Sequence, residues 1–356
     1  MTSPFPPRTE DFSQLTPYLE QTGRWIRTEA LRRLEDQPHG EHLYPLMRDY
    51  LQRGGKGFRP ALVLMCCEWF QGSPEQAVPS AVALELFHNF ALVHDDIEDS
   101  SLFRRGLPTL HQLHGIPLAL NAGDALLNVV HETLLENFEH LPLALAVRLQ
   151  RHFHLVMRRT FEGQSMDIAW VHQNRIPTRE EYEAMIERKT GWYSGTGPCQ
   201  AGAMIAEAAE PLLEQVGRLG RAIGIGFQMR DDLLNLTESS THEAPQGGGG
   251  GYGKEQGGDF AEGKRTLIVL EMLERLPKAE VERLQRLLLA SPETSAPEEI
   301  RRAIEQAEQC GALQAVYETC EARAHEAQQL LDALPPHQVR NLLAELISYL
   351  AQERRV

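Results

Sequence analysis

The 356-residue sequence has few cysteines, no excess of basic residues and no long apolar run. Its five cysteines lack the spacing of a disulfide framework or a zinc site, which indicates reduced thiols in a cytosolic protein. The formal net charge of −15 argues against nucleic acid as a partner, because nucleic-acid-binding proteins normally carry a basic surface. No apolar stretch approaches the ~20 residues that span a bilayer, and the amino terminus does not resemble a signal peptide. We therefore expect a cytoplasmic protein without a membrane span.

Alternating β-branched residues are also scarce, whereas nearly every long segment has the periodicity of an amphipathic helix. The longest of these segments are residues 79–96, 141–170, 210–236 and 296–334. Three start signals support them: Pro79 with Ser80, a capping box at Thr178, and Pro297 in a first helical turn. The sequence therefore predicts an all-α fold.

One segment interrupts the helical pattern. Residues 237–266 include the run Gly247–Gly251, which is too flexible for a regular element. A linker between two domains is one interpretation. We favour a flexible Gly-rich loop at about residues 238–262 within a single domain that spans residues 1–356, because the segments on both sides have the same helical character.

Carboxylates crowd the end of one predicted helix. Asp95, Asp96 and Asp99 fall at roughly 0°, 100° and 40° on a helical wheel, so one face carries all three. Like charges four residues apart destabilise an isolated helix by about 0.2–0.5 kcal/mol per pair. This first aspartate cluster therefore predicts a bound cation.

The same spacing recurs in a second predicted helix. Asp231, Asp232 and Asn235 form this second aspartate cluster, and Gln228 falls on the same arc of the wheel. A single cluster of this kind is more often a solvated helix end. Two clusters on separate helices can face each other and bind Mg²⁺, which takes one or two carboxylates and completes its shell with phosphate oxygens and water.

Basic residues accompany both clusters in this acidic chain. Those that we single out are Arg53, Lys56, Arg59, Arg104, Arg105, Lys189, Lys254, Lys264 and Arg265. His88 lies on the same helical face as Asp95, two turns earlier. The set predicts two anion sites, one bridged to carboxylates by metal and one held by arginine and lysine alone.

Six motifs occur in an order and spacing that resemble those of one family. They are GGKGFRP, HDDIEDSSLFRRGLPT, GQSMD, KTG, GFQMRDDLLN and GGDFAEGKRT. The chain thereby resembles the trans-isoprenyl diphosphate synthases, the polyprenyl synthetase family. The resemblance implies a helical bundle around a deep central cavity, a homodimer, and three Mg²⁺ ions. It also implies the reaction: an allylic diphosphate ionises, isopentenyl diphosphate attacks the carbocation head-to-tail, and a proton is lost to give an all-trans chain five carbons longer.

The resemblance also assigns roles to residues of this chain. The catalytic set is Asp95, Asp96, Asp99, Lys189, Asp231 and Asp232. Within it, Asp95, Asp99 and Asp231 would bind metal, and Asp96 and Asp232 would support them. The expected ligands of the allylic diphosphate are Arg104, Lys189 and Lys254, and Lys264 is also expected to bind substrate. The expected ligands of isopentenyl diphosphate are Lys56, Arg59, His88 and Arg105. Thr190 and Gln228 would line the reaction centre, supported by Gln164 and Asp167.

Product length is expected to depend on the residues just before the first cluster. Phe90 lies five positions before Asp95, and Ala91 lies four before it. An aromatic residue followed by a small one resembles geranylgeranyl (C20) diphosphate synthases, with Phe90 closing the cavity floor. Packing of Phe87 against Phe90 within the core is the alternative interpretation, and a C15 or C25 product remains open.

Three residues depart from the family pattern. Asn235 replaces the usual final aspartate of the second cluster, and we expect activity to survive this change. Trp192 and Tyr193 stand where many members carry smaller residues, so they would narrow the cavity or the dimer contact.

Two other functions compete with this reading. A class I terpene cyclase or head-to-head condensing enzyme shares aspartate clusters, but Lys56, Arg59 and the Arg104–Arg105 pair suit a second, metal-free diphosphate. A non-catalytic regulatory subunit would have lost aspartates or lysines that this chain retains.

Overall fold

The computed structural model describes residues 13–237, 256–290 and 296–351. Within these ranges all regular elements are helices apart from one hairpin of two-residue strands, which confirms the all-α prediction. No helix in the described ranges is long and apolar enough to cross a membrane. The run Gly247–Gly251 and Lys254 lie outside the described residues.

The described residues of the first half form eight α-helices and the hairpin. In order these are α1 (Leu15–Arg33), α2 (Tyr44–Gln52), α3 (Phe58–Trp69), α4 (Pro74–Glu98), β1 (Phe103–Arg104), β2 (Leu107–Pro108), α5 (Leu110–His114), α6 (Ile116–Leu135), α7 (Asn137–His140) and α8 (Leu143–His172).

In the second half, all regular elements of the described residues are helices. It contains α9 (Arg179–Ile186), a π-helix (Glu187–Thr196), α10 (Gly197–Ile205), α11 (Glu210–Thr237), α12 (Gly258–Ala261), α13 (Leu267–Arg275), α14 (Lys278–Leu289), α15 (Pro297–Gln309), α16 (Ala312–Asp332) and α17 (Val339–Ala351). Helix α12 lies inside the segment predicted as loop, so the end of that segment is ordered.

Two of the three predicted helix starts are confirmed. The Thr178 side chain accepts from the Glu181 amide and Glu181 reaches back, which is the expected capping box, and α15 begins at Pro297. The start at Pro79 is wrong, because α4 begins at Pro74 after the extended residue Ser73. Proline suits a first helical turn, and the earlier proline therefore provides the start.

The predicted helix over residues 296–334 is divided in the structure. Gly311 has a φ of +78°, a conformation that glycine adopts readily, and it separates α15 from α16. The KTG segment differs from ordinary helix as well, because residues 187–196 are π-helical. Short π-helical insertions frequently occur at functional sites.

Buried side chains form two adjoining clusters. One involves α1 to α8, α10 and the carboxyl-terminal helices. The other is formed mainly by α9 and by α12 to α16. Helix α11 contributes to both, with Leu219 and Ile223 in the first cluster and Leu233 and Leu236 in the second. Both aspartate clusters lie at the carboxyl ends of long buried helices, α4 and α11.

Candidate active site

The first aspartate cluster is bound by side chains from three other parts of the chain. Asp95 accepts from the Gln164 amide over 3.0 Å, and its carboxylate lies 3.6 Å from Lys189 Nζ. Asp99 lies 2.7 Å from Lys264 Nζ. Burial raises the pKa of Asp99 to about 7, although Lys264 opposes this shift. The structure thus brings Asp95, Asp99 and both lysines together.

Asp96 has other partners than these lysines and is 1% exposed. The Tyr50 hydroxyl donates to it over 2.6 Å, and the Arg104 guanidinium binds it with two nitrogens. Arg104 reaches back because β1 and β2 form a tight hairpin, in which Arg105 and Gly106 both have positive φ angles. Neighbouring Asp96 raises the pKa of Arg104 further than burial lowers it.

Lys189 joins the first cluster to α8. Its Nζ lies 2.6 Å from Asp167 Oδ2, and Asp167 and Asp95 together raise the lysine pKa more than burial lowers it. Gly163 permits this approach, since a Cβ atom there would lie 2.2 Å from the Lys189 backbone nitrogen. Gln164, the next residue, also donates to Glu98 over 2.6 Å.

Lys264 joins the first cluster to the segment that follows the second. Besides Asp99, its Nζ lies 2.6 Å from Glu262 and 3.8 Å from Asp259. These carboxylates raise the lysine pKa well above its usual value despite the opposing effect of burial. Glu262 also accepts a hydrogen bond from the Ser101 hydroxyl, two residues after Asp99.

In the second aspartate cluster, neutral side chains donate to Asp232. Asp232 Oδ1 accepts from the Gln228 amide over 2.9 Å, and Asp232 Oδ2 accepts from the Tyr182 hydroxyl over 3.0 Å. Gln228 in turn accepts from Thr190 Oγ1 over 2.8 Å. Burial, and then the neighbouring Asp259, raise the pKa of Asp232 to about 8.

Asn235 has a different role from its two neighbours in the cluster. It is fully buried, its Oδ1 accepts the backbone N–H of Asp259 over 3.2 Å, and its carbonyl accepts that of Gly257. The side chain therefore orders the segment containing α12. Asp231 is partly exposed and precedes Asp232 on α11.

The residues predicted to bind isopentenyl diphosphate form a crowded basic group. Arg59 donates to Ser194 and Tyr193, while Lys56 Nζ donates to the Tyr349 hydroxyl over 2.8 Å. Arg105 Nη1 donates to the Tyr50 carbonyl over 2.5 Å, and burial lowers its pKa to about 10.

His88 lies within reach of these charges. Burial, followed by Arg59, Arg105 and Arg104, lowers its pKa well below the usual value. Its Nδ1 makes no hydrogen bond to any described residue. Basic groups that lie close enough to lower one another's pKa provide a strong binding site for an anion.

The donor set fits a hard cation that shares its shell with phosphate. Among the described residues, no group of three His, Cys, Asp or Glu side chains is arranged to hold a metal by itself. The carboxylates of Asp95, Asp99 and Asp231 offer only oxygen ligands. Mg²⁺ needs no closed protein cage, because it usually combines one or two carboxylates with substrate phosphates and water.

The residues predicted to set product length lie in an aromatic group between α4 and α8. Phe90 is 4% exposed, and its ring centroid lies 5.5 Å from Phe87 and 5.8 Å from Phe161. Ala91 is partly buried beside it. These contacts are compatible with a cavity floor and with simple core packing.

Several contributors were not foreseen from the sequence. They are Tyr50, Tyr182, Ser194, Asp259, Glu262 and Tyr349. Most lie far along the chain from their partners, so periodicity and motif spacing gave no signal. Arg265 is not brought into the site, because its guanidinium donates to the backbone carbonyls of Arg175 and Leu288.

Known proteins resemble this chain in sequence and in fold. The Polyprenyl synthetase family model matches residues 40–307. Geranylgeranyl pyrophosphate synthase of Geoglobus acetivorans is 33% identical over 318 residues, which cover 89% of this chain and 92% of that protein. The geranylgeranyl pyrophosphate synthetase of Pyrococcus horikoshii Ot3 superposes with a TM-score of 0.84 at 27% identity, covering 97% of this chain and 100% of the other.

A further structural neighbour was crystallised with ligands. Geranylgeranyl pyrophosphate synthase of Corynebacterium glutamicum, complexed with isoprenyl diphosphate and magnesium, gives a TM-score of 0.84 at 25% identity and covers 96% of this chain and 100% of its own. The match to the family model includes both aspartate clusters. The chain therefore belongs to the polyprenyl synthetase family, as its motifs predicted.

Proposed function

We propose that this protein is a Mg²⁺-dependent trans-prenyltransferase that condenses isopentenyl diphosphate head-to-tail with allylic diphosphates. The observation that carries the proposal is the combination of two aspartate clusters with a separate basic group. Lys264 contacts both the first cluster and the segment after the second. One diphosphate is thus bound between carboxylates through metal, and the other by Lys56, Arg59 and Arg105 directly.

Different residues act on the two substrates. Lys189 and Arg104 meet the negative charge that develops as the allylic diphosphate leaves, which stabilises the transition state. Thr190 and Gln228, joined by a hydrogen bond, lie beside the reacting carbons. His88, Lys56, Arg59 and Arg105 orient isopentenyl diphosphate for attack on the carbocation. The released diphosphate accepts the proton, so no protein side chain is assigned as a general base.

Metal ligation is assigned to the partly exposed aspartates. Asp95 and Asp99 would hold two Mg²⁺ ions and Asp231 a third, with Asp96 and Asp232 supporting them. When bound, these ions supply the positive charge that neutralises the leaving diphosphate. The lysine contacts of Asp95 and Asp99 support this assignment. Lys189 and Lys264 would balance the negative charge of these carboxylates whenever no metal is bound.

The test is incubation with Mg²⁺, labelled isopentenyl diphosphate and each of the C5, C10 and C15 allylic diphosphates, followed by sizing of the dephosphorylated products. We expect a dominant C20 alcohol, geranylgeraniol. A C15 or C25 product would keep the activity and change the assigned length. No elongation with any primer would contradict the proposal and favour a regulatory subunit.

A substitution separates the two interpretations of Phe90. If its ring closes the cavity floor, Phe90→Ala lengthens the main product beyond C20. If the ring only packs against Phe87, the same variant loses stability through the cavity it creates and keeps its product length. Phe153→Ala, which removes a buried aromatic ring from α8 and leaves α4 unchanged, is the matched control.

We also propose a homodimer, supported by apolar side chains that α6 and α8 expose to solvent. Ile116 and Leu118 on α6 and Leu143 on α8 are 54%, 44% and 71% exposed. Exposed apolar surface of this kind marks interaction sites. Sedimentation equilibrium should give twice the chain mass, and Ile116→Glu with Leu118→Glu should give the monomer.

A further inference from the structure

In each aspartate cluster, a buried tyrosine from another helix binds the second carboxylate. Tyr50 of α2 donates to Asp96 Oδ2 over 2.6 Å, and Tyr182 of α9 donates to Asp232 Oδ2 over 3.0 Å. Both tyrosines are 1% exposed. The two pairs are separated by 46 and 50 residues in the sequence, so the likeness is one of geometry and not of motif.

The hydroxyl completes the hydrogen bonding of each carboxylate. Arg104 donates to both oxygens of Asp96, and Gln228 donates to Asp232 Oδ1. In each case the tyrosine hydroxyl donates to Oδ2. A buried carboxylate whose two oxygens are both bound has a single stable orientation. Side chains outside the cluster thereby fix the orientation of each of these two carboxylates.

Tyr50 is connected to both predicted diphosphate sites. Its hydroxyl accepts the backbone N–H of Leu110, which begins α5, and its carbonyl accepts from Arg105. The Arg53 guanidinium lies 4.7 Å from the centre of its ring. Tyr50 thereby connects Asp96 of the first cluster to Arg105, which is predicted to bind isopentenyl diphosphate.

We propose that Tyr50 and Tyr182 are positioning residues, each fixing the supporting carboxylate of its cluster so that the adjacent aspartate is held for Mg²⁺ and diphosphate. The proposal rests on the function proposed above. The two tyrosines are not equivalent, because Asp96 keeps the Arg104 guanidinium when Tyr50 is changed. Asp232 keeps the neutral Gln228 amide, so Tyr182 carries more of the support.

The experiment compares Tyr50→Phe and Tyr182→Phe with Tyr317→Phe. The control hydroxyl also donates to a carboxylate, that of Glu321, but lies outside both clusters. Titration calorimetry measures the binding of inorganic pyrophosphate in the presence of Mg²⁺, and steady-state kinetics gives kcat and KM. We expect Tyr182→Phe to weaken pyrophosphate binding about tenfold, Tyr50→Phe about threefold, and the control less than twofold.

A double-mutant cycle separates positioning from a general loss of stability. Asp232→Asn removes the charge that Tyr182 supports, so adding Tyr182→Phe to it should weaken pyrophosphate binding by less than twofold more. Additive losses would overturn the proposal. So would binding by both single Phe variants equal to that of the wild type, even with lowered melting temperatures. The cycle also decides the matter if one single variant fails to fold, because the Tyr50 and Asp96 pair provides an independent cycle.

The outcomes distinguish this inference from the proposed function. The wild type could bind pyrophosphate with Mg²⁺ more tightly than the Phe variants do and still form no prenyl product. That result would contradict the proposed function alone. Condensation that is unaffected, together with unchanged binding in the Phe variants, would sink the positioning role alone. A wild type that does not bind pyrophosphate with Mg²⁺ would overturn both.

Discussion

The two aspartate clusters have the same spacing but are stabilised by different partners. In the first, each aspartate lies beside a cation: Asp95 beside Lys189, Asp96 beside Arg104 and Asp99 beside Lys264. In the second, Asp232 is bound by the Gln228 amide and the Tyr182 hydroxyl. Sequence spacing defines where carboxylates stand, whereas the residues packed around them decide how their charge is balanced.

This difference changes what each cluster offers to a metal–diphosphate complex. A cation-rich cluster can exchange a lysine contact for a metal and leave the lysine to bind phosphate oxygens. The second cluster contains a buried carboxyl whose pKa is raised to about 8, and a metal ion would supply the positive charge that its neutral donors do not. We therefore expect the Asp232 carboxyl to depend on bound metal for its counter-charge more than Asp96, which has Arg104.

The largest expected effect comes from removing one metal-binding carboxylate from each cluster. Asp95→Ala and Asp231→Ala should each lower condensation about a thousandfold or more, because charge stabilisation by metal supplies several kcal/mol. The helical circular-dichroism signal should stay unchanged. Near-normal turnover in either variant would show that its cluster is not part of the site.

A smaller loss is expected when the arginine of the first cluster becomes lysine. Arg104→Lys keeps the charge but cannot bind Asp96 with two nitrogens, so kcat/KM should fall about a hundredfold. Arg283→Lys is the matched control, because Arg283 binds Glu299 with two nitrogens away from the site. Equal losses in the two variants would mean that the Arg104 pair serves stability only.

The third prediction concerns Lys264, which links the first cluster to the segment that follows the second. Lys264→Gln leaves Asp99 and Glu262 without their shared counter-charge, which should lower the free energy of unfolding by about 2–3 kcal/mol without ligand. Chemical denaturation should show most of this loss recovered with Mg²⁺ and pyrophosphate, since metal replaces the missing charge. A loss that ligand does not recover would contradict the role assigned to Lys264.

The smallest effect is expected at the position where the second cluster departs from the family pattern. Asn235→Asp keeps the oxygen that accepts the Asp259 amide, so the segment containing α12 should remain ordered. We expect a change of less than about threefold in the Mg²⁺ concentration that gives half-maximal rate, because the position is buried behind α12. A tenfold change would indicate that residue 235 contacts metal.

Local chemistry made much of this fold predictable. Apolar periodicity indicated the long helices, and the Thr178 capping box fixed the start of α9 correctly. The predicted helix start at Pro79 was wrong because, in the sequence, a proline inside a helix resembles one at its start. The boundary between α15 and α16 was missed because a single glycine, Gly311, is a weak signal for a helix end.

The site was predictable only in part for a related reason. Spacing within one helix identified the carboxylates of both clusters. Tyr50 and Tyr182 reach these carboxylates from helices 46 and 50 residues away, and no local pattern encodes such contacts. The π-helix that carries Lys189 and Thr190 likewise depends on tertiary packing against α8 and α11.

The most direct test of the account is anomalous diffraction from crystals soaked with Mn²⁺ and pyrophosphate. We predict two metal peaks beside Asp95 and Asp99 and a third beside Asp231, with pyrophosphate between them and contacted by Lys189 and Lys264. Metal at one cluster only, or pyrophosphate bound away from the space between the clusters, would contradict the account.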